Sequence, residues 1–281
     1  MPEPTPRDPA RTGSDGELRQ DRYVGSRDLT RWTSPLGRWL ADLARRTGVL
    51  LGPHQSLILI LVFGAAVAAL MTWLASEVYE AVVEADGVAV LDHPLLEAMV
   101  DERSPALDLA ATAYTNVGGV IGMPVLAVTI MVVLALRRRA WTPVILIAAA
   151  GGGSLLMTVA GKDLIGRARP SLAHAVPPYE HSPSFPSGHS LNALVIAGIV
   201  AYLLLLRQRS RTARVLTLTV ATVFALTIGL SRVYLGHHWF TDVLAAWILG
   251  AAWLAVVITA HRLYLTTRKD TGAVNRSAGP A

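Results

Sequence analysis

Long stretches without a charged residue dominate the pattern of apolar and polar positions along this chain. Six such runs, each of 17–28 residues, are Gln55–Ser76, Leu109–Leu136, Ala140–Gly161, Ser190–Leu206, Val215–Ser231 and Val243–Ala260. A bilayer core is crossed by roughly 20 apolar helical residues, within a range of about 17–25. The three shorter runs would also suit buried helices of a soluble core. Because six runs of this kind are difficult to bury in one such core, the pattern predicts an all-α polytopic membrane protein with six transmembrane helices.

The polar segments at both ends are predicted to lie outside this membrane domain, which takes up residues 55–265. Residues 1–28 have the composition of a disordered tail, and residues 266–281 form a second tail. In residues 29–54, apolar side chains recur at near-helical spacing between arginines: Trp32, Leu36, Trp39, Leu40 and Leu43. This spacing predicts either an amphipathic helix at the membrane surface or a cytoplasmic continuation of the first span, although Pro35 disfavours both.

The basic residues indicate how the helices are oriented. If the N-terminus is cytoplasmic and all six runs span the membrane, 20 of the 25 Lys and Arg residues are cytoplasmic and 5 lie outside. Positive charge concentrates in short cytoplasmic loops, so both termini are predicted to be cytoplasmic. The net charge of +5 then follows from topology, and nucleic-acid binding is not expected. No short apolar segment precedes the first run, so we expect no signal peptide.

The segments predicted to lie outside have an uneven charge. Glu77–Asp108 contains nine acidic residues against Arg103 alone, and its role stays open. The other outside basic residues stand at ends of predicted spans: Lys162, Arg167, Arg169 and Arg232. Basic residues that oppose the general charge distribution suggest a function, although such side chains also reach toward lipid headgroups. We keep this simpler interpretation for Arg167.

Two further patterns limit the chemistry. The chain has no cysteine, which excludes disulfides and thiolate catalysis. The GGGS stretch at Gly151–Ser154 lies inside the third run, where small residues predict close helix packing. The alternative is a phosphate-binding loop, but the stretch lacks the Lys-Ser/Thr ending and the preceding strand of such a loop.

Three short segments contain residues suited to a phosphoryl group, and the predicted topology places all three on the outer face. They are KDLIGRARP at Lys162–Pro170, PSGH at Pro186–His189 and SRVYLGHHWFTD at Ser231–Asp242. Lys162 and Arg169 are two helical turns apart, so they share a face if the helix extends as far as Pro170. A lysine and an arginine together neutralise a phosphoryl group effectively.

The PSGH segment predicts an anion site at the start of a helix. Unpaired backbone N–H groups and the positive end of the helix dipole point outward at such a position. Gly188 permits close approach of the backbone, and Ser187 can cap the helix or donate to phosphate. Beside a bound phosphate, His189 can act as an acid. The alternative for His189 is an interfacial histidine without a chemical role.

The third segment pairs a histidine with a carboxylate. His238 and Asp242 are four residues apart and therefore face the same way on a helix. A carboxylate that accepts from one imidazole nitrogen fixes the tautomer and leaves the other nitrogen as a nucleophile. His237 stands at the same offset from Thr241, which has no negative charge, so the pattern selects His238. Arg232, at the end of the fifth run, is a further phosphate ligand.

Together the three segments resemble the signature of the type 2 phosphatidic acid phosphatase family, which includes lipid phosphate phosphatases and, more distantly, vanadium haloperoxidases. The matching residues are Lys162, Arg169 and Pro170, then Pro186, Ser187, Gly188 and His189, then Ser231, Arg232, His238 and Asp242. The resemblance covers roughly residues 162–242 and the six-helix layout. It implies that His238 is the nucleophile, that Asp242 orients it and that His189 protonates the leaving group.

The resemblance also implies a set of phosphate-binding residues and no metal or other cofactor. The phosphate-binding residues are Lys162, Arg169, Ser187, Gly188 and Arg232. The sequence contains no metal-ligand pattern of the usual kinds, in agreement with this expectation. The remaining histidines are interpreted as surface or interfacial residues: His54, His93, His174, His181, His237 and His261.

The sequence therefore predicts an integral membrane phosphatase that hydrolyses a phosphomonoester or diphosphate of a membrane lipid at the outer leaflet, through a phosphohistidine intermediate. A phosphatidate-type lipid and a polyprenyl diphosphate, such as undecaprenyl diphosphate, both suit this prediction. The Arg-rich, Lys-poor composition favours a GC-rich bacterium and hence a bacterial plasma membrane. A non-enzymatic lipid-binding or transport relative is the alternative, but binding alone does not require these histidines. A haloperoxidase is disfavoured by the six predicted spans.

Overall fold

The computed structural model describes residues 21–46, 73 and 87–277, with side chains described as far as residue 268. From residue 87 onward, the chain forms seven α-helices. They are α1 (Asp92–Asp101), α2 (Pro105–Thr115), α3 (Gly122–Arg138), α4 (Thr142–Ile165), α5 (Gly188–Leu205), α6 (Arg211–Tyr234) and α7 (Phe240–Ser277). Three short 3-10 helices accompany them, at Gly87–Leu91, Asn116–Gly118 and Leu172–His174. The predicted helical architecture is confirmed for this part of the chain.

Helices α4, α5, α6 and α7 are each long and apolar enough to cross a membrane. Pro105–Gly118 and Gly122–Arg138 form a pair bent by 49°, which makes a fifth span if the pair counts as one. The first predicted span, Gln55–Ser76, lies outside the described residues except for Trp73. Five of the predicted spans therefore correspond to described helices, and the count of six stays a prediction.

The bend between α2 and α3 falls in a stretch that contains three glycines. A Cβ atom at Gly122 would lie 2.1 Å from the backbone oxygen of Asn116, so a larger residue would prevent this tight turn. At Gly119, a Cβ atom would lie 3.4 Å from Nε2 of His189. The bend therefore places backbone atoms close to the imidazole of His189, at the start of α5.

Helix α5 lies at the centre of the bundle, packed against α4, α6 and α7. Residues at four-residue intervals along it are completely buried: Leu191, Val195, Ile199 and Leu203. Large apolar side chains on the surrounding helices face outward instead, among them Leu155, Leu156, Leu216 and Val220. This distribution suits a bundle whose outer surface contacts lipid, because lipid removes the cost of exposing apolar side chains.

The GGGS stretch of α4 allows close packing against α7. A Cβ atom at Gly153 would lie 2.1 Å from the ring of Trp253, whose Nε1 donates to the backbone oxygen of Ala150 over 3.1 Å. At the neighbouring Gly152, a Cβ atom would meet nothing within 4 Å. The interpretation of this stretch as a packing surface is confirmed.

Residues 21–28 differ from the predicted disordered tail. They form a hairpin of two short antiparallel strands, β1 (Tyr23–Val24) and β2 (Arg27–Asp28). Asp21 is buried 3.0 Å from Nη2 of Arg207, which follows α5. The hairpin docks at the end of the bundle away from the three signature segments, where Nη1 of Arg138, at the end of α3, also lies 3.8 Å from Oδ1 of Asp21.

The segment predicted to be amphipathic is helical at residues 35–46. Pro35 is its first helical residue, and the Oγ atom of Ser34 accepts from the backbone N–H of Gly37 over 3.1 Å. Proline therefore starts the helix, a position that its fixed φ angle favours, and does not interrupt it. At the other end of the chain, α7 continues to Ser277, beyond the tail boundary predicted at residue 266.

The packing of α4 against α7 predicts opposite results for two neighbouring substitutions. Gly153→Ala should lower the melting temperature, because overpacking against the Trp253 ring costs about 1–3 kcal/mol. Gly152→Ala meets no neighbour and should leave the melting temperature equal or higher, since alanine favours a helix interior by about 1 kcal/mol over glycine. Thermal unfolding of the purified proteins in detergent measures both melting temperatures. Equal changes in melting temperature for the two variants would contradict this account of the packing.

Candidate active site

The three signature segments meet at one end of the helical bundle. They lie at the C-terminal ends of α4 and α6 and at the N-terminal ends of α5 and α7. A Cβ atom at Gly161 would lie 2.5 Å from Cδ of Pro186, so glycine lets the start of α5 approach α4 closely. The backbone N–H of Ser187 donates to the backbone oxygen of Asp242 over 3.3 Å, which joins the second segment to the third.

Helix α4 ends earlier than the sequence predicts. Gly166 has a φ of 61°, in the left-handed region that glycine adopts readily at helix ends, so the helix does not reach Pro170. The prediction that Lys162 and Arg169 share a helix face is therefore wrong. A loop brings them together instead: the Oγ atom of Ser182 lies 3.3 Å from Nζ of Lys162 and 3.1 Å from Nη2 of Arg169.

His238 and Asp242 are in contact, although His238 precedes α7 and only Asp242 lies within it. Nδ1 of His238 is 3.4 Å from Oδ2 of Asp242. The Oγ atom of Ser184 lies 3.3 Å from the same Nδ1 and donates to the same carboxylate oxygen. All three side chains are almost completely buried. This geometry favours a proton on Nδ1, which places the lone pair of the imidazole on Nε2.

The surroundings of His238 keep its imidazole neutral. Burial lowers the pKa of His238 well below its ordinary value, and the positive charges of Arg169 and Arg232 lower it further. Nη1 of Arg169 lies 3.2 Å from Nε2 of the imidazole. Nε2 is thus unprotonated at physiological pH and accepts from a guanidinium group, which is also suited to bind anions.

An acidic side chain lies between two of the predicted phosphate ligands. Oε2 of Glu180 is 2.8 Å from Nη2 of Arg169, and Oε1 forms an ion pair with Nη2 of Arg232. Burial raises the pKa of Glu180, but the charges of Arg232 and Arg169 outweigh burial and lower it to about 2. Glu180 is therefore ionised, and its carboxylate bridges the two arginines as an oxyanion ligand would.

At the start of α5, Ser187 caps the helix. Its Oγ atom accepts from the backbone N–H of Ser190 and, over 2.8 Å, from the Ser190 hydroxyl. A Cβ atom at Gly188 would lie 3.0 Å from Cγ2 of Thr158, so glycine suits this close approach. Among the residues that the structure describes, none forms a hydrogen bond with the ring of His189. Both of its nitrogens are thus accessible to hydrogen bonding with a ligand.

The interpretation of Arg167 as a residue that reaches toward headgroups is wrong. Its Nη1 donates to Oδ1 of Asp242 over 2.6 Å, and its Nη2 donates to Oδ2 of Asp92 over 2.8 Å. Asp92 belongs to the acidic segment Glu77–Asp108, which the charge pattern predicts to lie outside. The sequence does contain a sign of this pairing, because the acidic segment and the basic residues are predicted on the same face of the membrane. It does not indicate which of these charges form pairs.

Two histidines predicted to be surface or interfacial residues, His237 and His261, are buried. His237 has its Nε2 2.7 Å from the backbone oxygen of Val176, and burial lowers its pKa. His261 lies in α7 away from the site, with its Nδ1 2.8 Å from the hydroxyl of Tyr202. His93, His174 and His181 are exposed, and His54 lies outside the described residues.

Comparison with known proteins supports the resemblance stated from the sequence. A model of the PAP2 superfamily matches residues 140–264, a range that contains all three signature segments. Phosphatidylglycerophosphatase B of Bacillus subtilis (strain 168) is 34% identical over 172 residues, which cover 60% of this chain and 83% of that protein.

Solved structures of similar proteins are also known. The crystal structure of a transmembrane PAP2-type phosphatidylglycerolphosphate phosphatase from Bacillus subtilis matches with a TM-score of 0.56 and 29% identity, over 71% of this chain and 92% of that chain. The structure of Aquifex aeolicus LpxE matches with a TM-score of 0.48 and 22% identity, over 59% of this chain and 94% of that chain. The family model, together with the 34% identity to a relative matched over 83% of its length, shows that this chain belongs to the PAP2 superfamily.

Proposed function

We propose that this protein hydrolyses a phosphomonoester of a membrane lipid through a phosphohistidine formed on His238. The observation that carries the proposal is the buried, neutral imidazole of His238, held by Asp242 and adjacent to Arg169. An oriented nucleophile beside fixed positive groups is suited to attack on phosphorus. A protein that only bound lipid phosphates would not require this pairing of histidine and carboxylate.

The proposed reaction has two steps. In the first, Nε2 of His238 attacks phosphorus, the N–P bond forms, and the bond from phosphorus to the lipid oxygen breaks while His189 donates a proton to that oxygen. Asp242 then faces the positive charge of the phosphorylated imidazole. In the second step, His189 takes a proton from water, the water oxygen attacks phosphorus, and the N–P bond breaks to release phosphate.

Fixed positive groups stabilise the charge that develops on the phosphoryl oxygens in this proposal. They are the side chains of Lys162, Arg169 and Arg232 and the N-terminus of α5, where Gly188 lets the backbone approach. Because they are held by contacts within the protein, they need little reorganisation when the transition state forms. The mechanism assigns no step to a metal ion.

We propose phosphatidylglycerophosphate as the substrate. The support comes from the names of the two Bacillus subtilis relatives, which this chain matches over 83% and 92% of their lengths. When the terminal phosphoryl group of this lipid is transferred, the departing group is a lipid alkoxide. An alkoxide is a poor leaving group unless it is protonated, which suits an acid at the position of His189. A polyprenyl diphosphate is the comparison substrate.

We place the site at the outer leaflet of a bacterial plasma membrane. Arginines cluster at the opposite end of the bundle, at the end of α3 and from the end of α5 into the first turn of α6: Arg137, Arg138, Arg139, Arg207, Arg209, Arg211 and Arg214. Clusters of this kind mark the cytoplasmic side of a membrane protein. The charge pattern therefore supports an active site that faces outward.

Glu180 has to yield its position when a phosphoryl group binds. Its carboxylate holds the same arginine nitrogens that a phosphate oxygen would use, and two anions at that separation repel each other. The side chain is 30% exposed and lies in the loop before α5, so it can turn toward water. In this proposal, Glu180 competes with both substrate and product.

Removing the charge of Glu180 should strengthen binding of phosphate analogues. We expect Glu180→Gln to lower the orthovanadate concentration for half-maximal inhibition about tenfold, since a hydrogen bond to a charged group contributes about 1.5–3 kcal/mol. The control is Asp163→Asn, which removes an exposed charge near the same end of α4. An unchanged or weaker affinity in Glu180→Gln would show that Glu180 supports the arginines and does not compete with phosphate.

The proposed acid role of His189 predicts a dependence on the leaving group. The wild-type protein should release phosphate from phosphatidylglycerophosphate in detergent with EDTA present. With this substrate, His189→Ala should lose about 10²–10⁴ in single-turnover rate, the usual contribution of a general acid. With p-nitrophenyl phosphate, whose leaving group needs little protonation, the first step should be slowed much less.

Two results would contradict these assignments separately. Equal losses for both substrates would leave His189 as a phosphate ligand without an acid role. If the wild-type protein releases phosphate from a polyprenyl diphosphate but not from phosphatidylglycerophosphate, the proposed substrate is wrong and the proposed reaction still holds.

A further inference from the structure

The active site is joined to the acidic outer segment by a chain of hydrogen bonds. We propose that Asp92 and Arg167 are positioning residues that hold Asp242, and through it His238, in the geometry for nucleophilic attack. This inference rests on the proposed function of His238 as the nucleophile. It assigns a function to an acidic residue of the outer segment and to an arginine that precedes Arg169 by two positions.

Asp92 caps α7 from a different helix. It is the first residue of α1 and is 3% exposed. Its Oδ1 accepts from the backbone N–H of Thr241 over 2.8 Å, and its Oδ2 accepts from the Thr241 hydroxyl over 2.6 Å. The first N–H groups of a helix have no acceptor within the helix, so Asp92 satisfies one of them and fixes the start of α7.

Asp242 satisfies a second N–H group at the same helix start. Its Oδ2 accepts from the backbone N–H of Trp239 over 3.0 Å, and the same oxygen faces His238. Two carboxylates therefore meet at the N-terminus of α7, where the helix dipole favours negative charge. The two negative charges also repel each other, so the arrangement requires a cation between them.

Arg167 provides this cation. One of its terminal nitrogens donates to Asp242 and the other to Asp92, so a single guanidinium plane spans both carboxylates. Its Nη1 also donates to the hydroxyl of Thr241 over 2.7 Å. A lysine carries the same charge but lacks the planar fork that reaches two carboxylates at once. The arginine thereby fixes the rotation of the Asp242 carboxylate toward His238.

The neighbouring residues hold this arrangement from a second side. Nε1 of Trp239, the residue after the nucleophile, donates to the backbone oxygen of Ala168 over 2.9 Å. The ring centroid of Trp239 lies 5.7 Å from the guanidinium carbon of Arg167 and 4.8 Å from the ring centroid of His93. Trp239, the residue directly after His238, is therefore tied to the segment that carries Arg167 and to α1.

A fully buried carboxylate without a compensating cation is strongly unfavourable. Without Arg167, Asp242 would turn away or take up a proton, and His238 would lose the acceptor that fixes its tautomer. Arg167 donates to Asp242, Asp92 and Thr241, and Asp92 accepts from Thr241 at the start of α7. Loss of these contacts should therefore reduce the rate of the chemical step more than phosphate binding.

Steady-state kinetics of single and double variants test this inference. Arg167→Ala should lower kcat by about 10²–10³. This loss is smaller than the roughly 10⁴ that follows when the orienting carboxylate of a catalytic triad is itself replaced, because Asp242 is still present. KM and the inhibition constant of orthovanadate should change less than about threefold, since binding is unaffected. Arg167→Lys should recover part of the rate.

The double variant Arg167→Ala with Asp242→Asn decides whether Arg167 acts through Asp242. If it does, the double variant should be no slower than Asp242→Asn alone, because residues that act as one unit do not give additive losses. Asp92→Asn should lower kcat about tenfold and also be non-additive with Asp242→Asn. The control is Asp101→Asn, which makes the same change at an exposed position of α1 and should leave kcat unchanged.

The possible failures are distinguishable. A wild-type protein without phosphatase activity would overturn the proposed function. If the wild-type protein is active but the losses of the single variants multiply in the double variants, only the positioning role is overturned. An equal change in the vanadate inhibition constant and in kcat would also overturn that role. If Arg167→Ala does not fold, the isosteric pair Asp92→Asn and Asp242→Asn gives the same decision.

Discussion

The active site depends on one buried carboxylate. Asp242 has no exposed surface, and a carboxylate in such a place is stable only if hydrogen-bond donors and a cation surround it. Its donors come from three other parts of the chain: Arg167 after α4, Ser184 before α5 and the backbone of Trp239. Once these contacts form, the loops around the site are joined to each other, and His238 has a defined partner.

The bundle geometry provides the second requirement, which is positive potential at the same place. Helices α5 and α7 both present N-termini at this end, and α4 and α6 end there with basic residues in their last turns. Glycine makes the close approach of α4 and the start of α5 possible, at Gly161 beside Pro186. Glu180 neutralises part of this potential in the ligand-free protein, where the two arginines would otherwise repel each other.

Much of this could be predicted from the sequence, because two of its signals are local. The length of a charge-free run indicates a spanning helix by itself, and Lys162, Arg169, His189, Arg232, His238 and Asp242 lie in short segments of characteristic spacing. The apolar runs at α4, α5, α6 and α7 agree with the structure, and the long run before α4 is bent at its glycines.

Other features depend on contacts between distant residues, which spacing does not show. Arg167 and its partner Asp92 are 75 positions apart, and the charge of an arginine at a helix end is equally consistent with lipid headgroups. The early end of α4 at Gly166 was missed because Pro170 is the stronger local breaker. The docking of residues 21–28 likewise depends on Arg207, which is more than 170 positions away from Asp21.

The most direct test of the central claim is a search for the covalent intermediate on His238. His189→Ala should accumulate the phosphoenzyme, because the second step lacks its base while p-nitrophenyl phosphate still supports the first. After reaction with ³²P-labelled p-nitrophenyl phosphate and an alkaline quench, which preserves N–P bonds, we expect an acid-labile label on the peptide that contains His238 and no label when His238→Ala is added. A label on another residue, or phosphate release without any label, would contradict the account.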